Sequence, residues 1–482
     1  MTDDATRPAV VAPTAVDPVA RALSEVAGGP PGRHARPHRW WSPVRVVLTL
    51  VAVVMALSVV HHVPCLDTGW ASDQARYGKG CYSDVPYLYT GRGLAEGLWP
   101  YAAGEGEESG GRYRTMEYPV GISYLAWGAA RLTQLVAMDG PSLAERRLAD
   151  PASVWGMPGM GTETSSYFLL TAILLAMCAL GAAWFLSGVD RRRPWDALLL
   201  ALSPALLATA LINWDLLAVL FVAGALWAWA RGRPGLTGVM IGLGTASKLF
   251  PLFLLGPVLV LCLRRDASGR RDLRPFGSAL VGALVSWVVV NAPAYLSSPE
   301  RWRVFWVFNA DRGADLGSVW LALTHAGLEF TPGTINTWSW VVFGAVCLGV
   351  AVLGLVAPEP PRLAQLGFLV VVGFLLVNKV YSPQYVLWLL PLAVLARPRW
   401  RDQLAWQATE VFYVAMVWAY LAGYLDGAVE GQAPTYDVAI WVRVLGQLAL
   451  AALVVRDVLR PARDPVRQDA QLISTRSNAV AV

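Results

Sequence analysis

The sequence predicts an all-α, polytopic membrane protein, and three observations carry that expectation. Hydrophobic residues make up 55% of the 482 and charged residues only 15%. Mean hydropathy is +0.45. The apolar residues gather in about 12 runs near the length a transmembrane helix requires. A soluble chain of this size cannot hide so much apolar surface in one core. Hydrocarbon accepts it when the backbone is helical, because an unpaired amide in lipid is costly. The 22 Trp and 16 Tyr suit anchoring at the membrane interfaces.

The runs lie near residues 44–62, 118–137, 164–187, 195–212, 214–230, 235–263, 277–293, 336–356, 363–380, 384–396, 404–424 and 437–455. Several are short or interrupted by Pro and Gly, which lipid tolerates only where protein covers the break. Residues 1–42, rich in Ala, Pro and Arg, read as a disordered cytoplasmic tail. Residues 43–458 form the expected transmembrane domain, and 459–482 a second cytoplasmic tail. Within the domain, 63–116 and 294–335 are the two large loops expected on the extracytoplasmic side of a bacterial inner membrane.

The pI near 9.0 raises nucleic acid as a partner. The Arg residues sit in short loops between apolar runs, so they read as positive-inside signals instead, with membrane lipids as the surroundings and no nucleic acid. Arg191–Arg193, Arg231 with Arg233, the 264–274 segment and Arg397, Arg399 and Arg401 all favour the cytoplasm. Simple alternation of spans conflicts with that. The conflict vanishes if 118–137 does not fully cross and 235–263 is a broken hairpin turning at Ser247–Pro251.

Lysine usage is more telling. Of 39 basic side chains only three are Lys: Lys79, Lys248 and Lys379. Lys248 and Lys379 lie in the apolar stretches TASKLFPLF and LVNKVYSPQY. A charge inside a membrane segment usually faces a cavity and a partner. The alternative is a side chain snorkelling at a helix end.

The 63–116 loop contains CYSDVPYLYTGRGLAEGLWPY, whose apolar spacing predicts amphipathic helix along the membrane surface. Asp84 sits there among aromatics. A carboxylate at a membrane-facing cleft can accept a proton from a sugar hydroxyl; an Asp before an apolar run is also an ordinary helix N-cap. Asp73 and Glu117 are rival acids, and Asp67 a weaker one. Cys65 and Cys81 share the loop and are disulfide candidates in an oxidising compartment. Cys178, Cys262 and Cys347 fall in apolar runs and read as inert. The five Cys and five His show no metal-binding spacing. No Gly-rich phosphate loop marks a nucleotide site, so no cofactor is expected.

Read in order, YSDVPY, MEYPVG, NWDLL, GTASKLFPLFLL, RWRVFWVFNADRGADLGSVW and NKVYSPQYVLWLLPL resemble the GT-C superfamily of polyprenyl-phosphate-sugar-dependent glycosyltransferases. The nearest resemblance is to glycosyltransferase family 87, the phosphatidylinositol-mannoside mannosyltransferase group, and to the catalytic subunit of GPI mannosyltransferase I. The pieces span residues 44–400. The resemblance implies a GT-C-like fold with Asp84 as the catalytic carboxylate. The GPI enzyme has a second Asp two positions on, where this chain has Pro86, which favours a single-Asp site without metal. Lys248 matches an embedded Lys, and Lys379 and Gln384 a late outer-loop motif. Asn213 and Asp215 replace a polar Gly-containing pair.

The implied donor is a sugar on polyprenyl phosphate, and the implied acceptor is a glycolipid or glycan. The developing phosphate charge would meet Lys248, Lys379 and Arg312, with Asp73, Glu117, Asn213, Asp215, Tyr381 and Gln384 as further cleft residues. Mannose is the expected sugar and arabinose the alternative. A flippase or transporter of lipid-linked sugar also has interrupted helices and buried charges; a non-catalytic envelope scaffold is a third class. Loss of function on changing Asp84 separates an enzyme from both.

Overall fold

The computed structural model describes residues 10–29, 38, 40–102, 112–265, 269–425 and 433–469. Every regular element among them is helical. Five helices are long and apolar enough to cross a membrane: Pro43–His61, Met160–Val189, Arg274–Ser297, Pro332–Val356 and Pro434–Leu459. The expected dozen spans are therefore not a dozen full-length helices. Leu216–Ala230, Phe250–Leu263, Leu363–Val377 and Pro383–Ala396 are apolar but shorter.

The 195–212 run breaks into Pro194–Ala197, Leu198–Ala201 and Pro204–Thr209. Pro204 brings no N–H, and Ser203 caps the new helix by accepting from Leu206 N at 3.0 Å. Long helices such as Arg274–Ser297 turn Val281, Leu284, Val285 and Val289 outward. Apolar side chains facing away from protein are what a hydrocarbon solvent permits.

Two features of chain direction position the site. Gly238 packs against the Ala279 backbone, and Gly242 against Ala283, both too closely for a Cβ. These contacts advance together along Pro234–Ser247 and Arg274–Ser297, so the two helices run parallel. The chain between them must double back. It does so at Lys248, whose extended backbone (φ −154°, ψ 152°) ends the first helix, and at the 3₁₀ turn Phe250–Leu254. The break expected at Ser247–Pro251 is present. The helix Val120–Val136 keeps both ends near the 63–116 loop: Tyr118 bonds Asp84, and Gln134 bonds Leu94 O.

Arg193, Arg231, Arg264, Arg362 and Arg399 gather at one end of the bundle. Arg231 bonds Gly188 O, Arg264 bonds Ala357 O, and Arg362 bonds Ala396 O. The disordered-tail expectation is corrected there. Residues 13–16 and 18–26 are helical, and this segment docks on the arginine-rich end. Val11 N donates to Arg192 O at 2.7 Å. Trp400 N donates to buried Asp17 at 3.0 Å. The start of the C-terminal tail is also packed, because Asp464 pairs with Arg362 and Asp469 with Arg193. Acid–arginine pairing supplies what the low apolar content of the C-terminal segment lacks. The remaining tail residues, 1–9, 30–37, 39 and 470–482, lie outside the described residues, as does 103–111 of the first loop.

The described part of that loop packs one face against the protein. It forms Asp73–Gly78, Asp84–Gly91 and the 3₁₀ turn Leu94–Glu96, and it buries Val85, Tyr89 and Leu94. Glu163 pins it: this buried carboxylate accepts from Tyr89 Oη at 2.5 Å and pairs with buried Arg146 at 2.6 Å. Cys65 and Cys81 are bonded to each other, closing the loop's first 16-residue interval.

Candidate functional site

At the end opposite these arginines, a cavity of about 430 Å³ is walled by residues from all six of the quoted sequence pieces. Asp84, Glu117, Asn213, Lys248, Arg312 and Gln384 all line it.

Asp84 reaches the cavity because its backbone is pinned. Ser83 Oγ donates to Leu211 O at 2.7 Å and Asp84 N to Ile212 O at 2.7 Å. Ser83, not Asp84, caps the helix Asp84–Gly91 by accepting from Val85 N. The Asp84 carboxylate is thus left for other partners. Tyr82 Oη donates to Oδ1 at 2.7 Å and Tyr118 Oη to Oδ2 at 2.6 Å. Burial pushes this carboxyl above its ordinary pKa, while the Tyr118 and Tyr82 hydrogen bonds and the nearby Lys248 charge pull it back.

Lys248 follows directly on its helix, with its N–H still bonded to Gly244 O. Its ammonium stands 2.8 Å from Asp215 Oδ1. Three aromatic faces surround it, with ring centroids at 4.7 Å for Tyr118, 5.7 Å for Tyr385 and 5.9 Å for Trp388. Trp388 Nε1 donates to Asp215 Oδ2 at 3.2 Å. Asn213 Oδ1 accepts from Asp215 N at 3.0 Å, so the NWD turn holds the carboxylate under the lysine. Asp215 is therefore a counter-charge behind the wall.

Gln384 is buried on the wall, and its Oε1 has no hydrogen-bond partner among the described residues. Arg312 is half-exposed at the wall and forks onto Asp315, at 2.7 Å from Nε. Glu117 is held by Arg92 at 2.6 Å.

Other expected residues stand elsewhere. Lys379 is not in the wall: its ammonium donates to Asn336 Oδ1 at 2.6 Å and Ala310 O at 3.1 Å. The convergence expected of Lys248 and Lys379 is therefore absent. Lys379 instead sits at the C-terminal end of Pro299–Asp311, where a cation suits the helix dipole. Tyr381 is buried behind the wall with the Arg443 guanidinium 3.3 Å from its ring centroid. Asp73 opens the helix Asp73–Gly78, which Ser72 caps, and its side chain lies outside the described residues.

The sequence reading missed Tyr82, Tyr118, Tyr385 and Trp388, all within quoted motifs, where an aromatic reads equally well as an interface anchor. It also missed Arg443. This fully buried residue pairs with Glu410 at 2.9 Å and donates to Tyr381 O at 2.6 Å and Ser382 O at 3.2 Å. It fixes the backbone just before Gln384. Its only sequence signal is a charge inside an apolar run.

Among the described residues no three His, Cys, Asp or Glu side chains gather as a metal site. The wall combines one carboxylate held in place by two phenols with two cations held by neighbouring acids. That set can take a proton on one side and bind an anion on the other. No curated protein matches the chain. Residues 157–383 match the family model for glycosyltransferase family 87. The matched stretch holds Asn213, Asp215, Lys248 and Arg312, while Asp84 precedes it. With five helices among the described residues able to cross a bilayer, this match indicates a membrane glycosyltransferase.

Proposed function

We propose that the chain transfers a sugar, mannose first among the candidates, from a polyprenyl-phosphate donor to a lipid- or glycan-linked acceptor on the outer face of the membrane. What supports this reading is that Asp84 and Lys248, from separate motifs, line one cavity with Tyr118 between them.

In the proposed reaction the anomeric C–O bond to the donor phosphate breaks through an oxocarbenium-like state. The bonding pair leaves with the polyprenyl phosphate. Lys248 keeps N–H donors beyond the one aimed at Asp215 and offers them to a phosphate oxygen; Arg312 offers its charge from the mouth. Asp84 takes the acceptor proton as the new C–O bond forms on the opposite face, which inverts the anomeric centre. Tyr82 and Tyr118 fix the carboxylate's orientation. Gln384 Oε1 accepts from a sugar hydroxyl, which gives that buried oxygen the partner it lacks.

The test is a product assay. Purified chain is given polyprenyl-phosphate mannose, arabinose and glucose with membrane glycolipid extract. A new glycolipid made from the mannose donor supports the full reading. Product from arabinose alone changes the sugar. Donor movement across a vesicle with no new glycosidic bond sinks the enzyme.

A further inference from the structure

The stretch before Gln384 is held from behind the cavity wall. Arg443 donates to Tyr381 O at 2.6 Å and to Ser382 O at 3.2 Å. Gly317 closes on the same Tyr381 oxygen, too near for a Cβ. Tyr381, Tyr413 and Arg443 are all buried there. The Tyr381–Ser382 peptide is trans, so its N–H points opposite to its C=O. The carbonyl is turned into the buried cluster. The Ser382 N–H is therefore turned the other way, and Ser382 lines the cavity. Among the described residues, nothing accepts a hydrogen bond from Ser382 N or Oγ.

An N–H and a hydroxyl on neighbouring atoms can meet one oxygen, and a phosphate oxygen accepts both. Lys248 and Arg312 line the same cavity. We propose that Ser382 is a binding residue for the donor phosphate, through its N–H and its hydroxyl, and that Arg443 is the positioning residue that aims the N–H. The identity of the anion rests on the sugar-transfer reading. A backbone donor fixed in advance needs no reorganisation as charge develops on the leaving phosphate. The Arg443 charge on the carbonyl oxygen also polarises the peptide, which strengthens its N–H as a donor. Glu410, 2.9 Å from Arg443 Nε, keeps the guanidinium in place.

The test uses the full chain purified in maltoside, with citronellyl phosphate titrated by calorimetry and citronellol and octyl mannoside as controls. Citronellyl phosphate should bind saturably, and citronellol should not compete. Ser382→Ala removes a hydroxyl that no described protein group uses. Its thermal midpoint should hold while affinity falls about tenfold, the scale of one hydrogen bond to a charged group. Ser382→Pro removes the N–H as well, at a φ of −55° that proline adopts. Affinity should fall about tenfold again. Arg443→Lys keeps a charge beside Glu410 but loses the fork onto two carbonyls. It should weaken the probe in the wild-type background and change little in Ser382→Pro, because the N–H it aims is gone. An equal loss in both backgrounds would overturn the positioning role. Unchanged probe affinity in both Ser382 variants, no saturable binding to wild type, or a loss seen with octyl mannoside instead of the phosphate would overturn the binding role. Weakened probe binding in a chain that makes no new glycosidic bond would keep the anion site and remove the transfer reading. Normal product with unchanged probe affinity would do the reverse.

Discussion

Lys248 Nζ and Asp215 Oδ1 are 2.8 Å apart, with both side chains buried and the second carboxylate oxygen held by Trp388. Removing one member of a buried pair leaves an uncompensated charge, at a cost of about 3–5 kcal/mol. Lys248→Met should therefore lower the thermal midpoint as well as turnover. Lys248→Met combined with Asp215→Asn removes both charges and should recover most of the stability. Turnover should stay lost, because the proposed phosphate donor is gone. Recovery of turnover along with stability would reduce Lys248 to a structural role.

Asp84→Asn keeps the shape and loses the proton acceptor. Transfer should fall by about 100-fold or more, the usual scale of a general base. The sign of the stability effect follows from the raised carboxyl pKa. A carboxyl raised on folding disfavours its own charged form. That penalty is absent below the unfolded pKa and is complete above the folded one. At neutral pH the Asn protein should therefore be at least as stable as wild type, by thermal shift in detergent. In wild type, turnover should fall as pH drops through a value above the ordinary carboxylate range. An acid limb at or below that range would contradict the assignment.

Tyr82→Phe and Tyr118→Phe each remove one hydrogen bond to the charged form of Asp84. A bond to a charged group is worth about 1.5 kcal/mol, or roughly one pH unit. Both variants should move the acid limb of the pH–rate profile upward. Tyr118→Phe keeps an aromatic face beside the Lys248 ammonium, so donor affinity should hold. A limb that stays in place for both would mean that another group sets it.

Much of this was legible in the sequence. Apolar runs marked the long helices, and Pro251 after a charged Lys marked the reversal at Lys248. Asp84, Asn213, Lys248 and Gln384 were named from motifs, and they share one cavity. Burial partners were not legible. Arg443 and Glu410 lie 33 positions apart, and Lys248 also lies 33 positions from Asp215, so only folding pairs them. Asp215 was read as a cleft residue because sequence gives a carboxylate no direction; the turn at Asn213 aims it at the lysine. Lys379 was misjudged for the opposite reason. A lysine near Pro in apolar sequence looks the same whether it meets a ligand or a helix end.

Lys379 then carries the last prediction. Its ammonium holds Ala310 O at the end of Pro299–Asp311, and Arg312 follows two residues later. Lys379 should thus act on a donor phosphate through Arg312, not by contact. Lys379→Met is expected to weaken donor binding by about threefold, within the range of a partly exposed hydrogen bond to charge. In an Arg312→Gln background the same change should do almost nothing, since the group it positions is gone. Lys248→Met should remain additive with both. The measurement is a donor-binding double-mutant cycle on purified protein. If Lys379→Met weakens binding equally in both backgrounds, the lysine meets the phosphate itself, and the segment from Ala310 to Arg312 must move aside when donor binds.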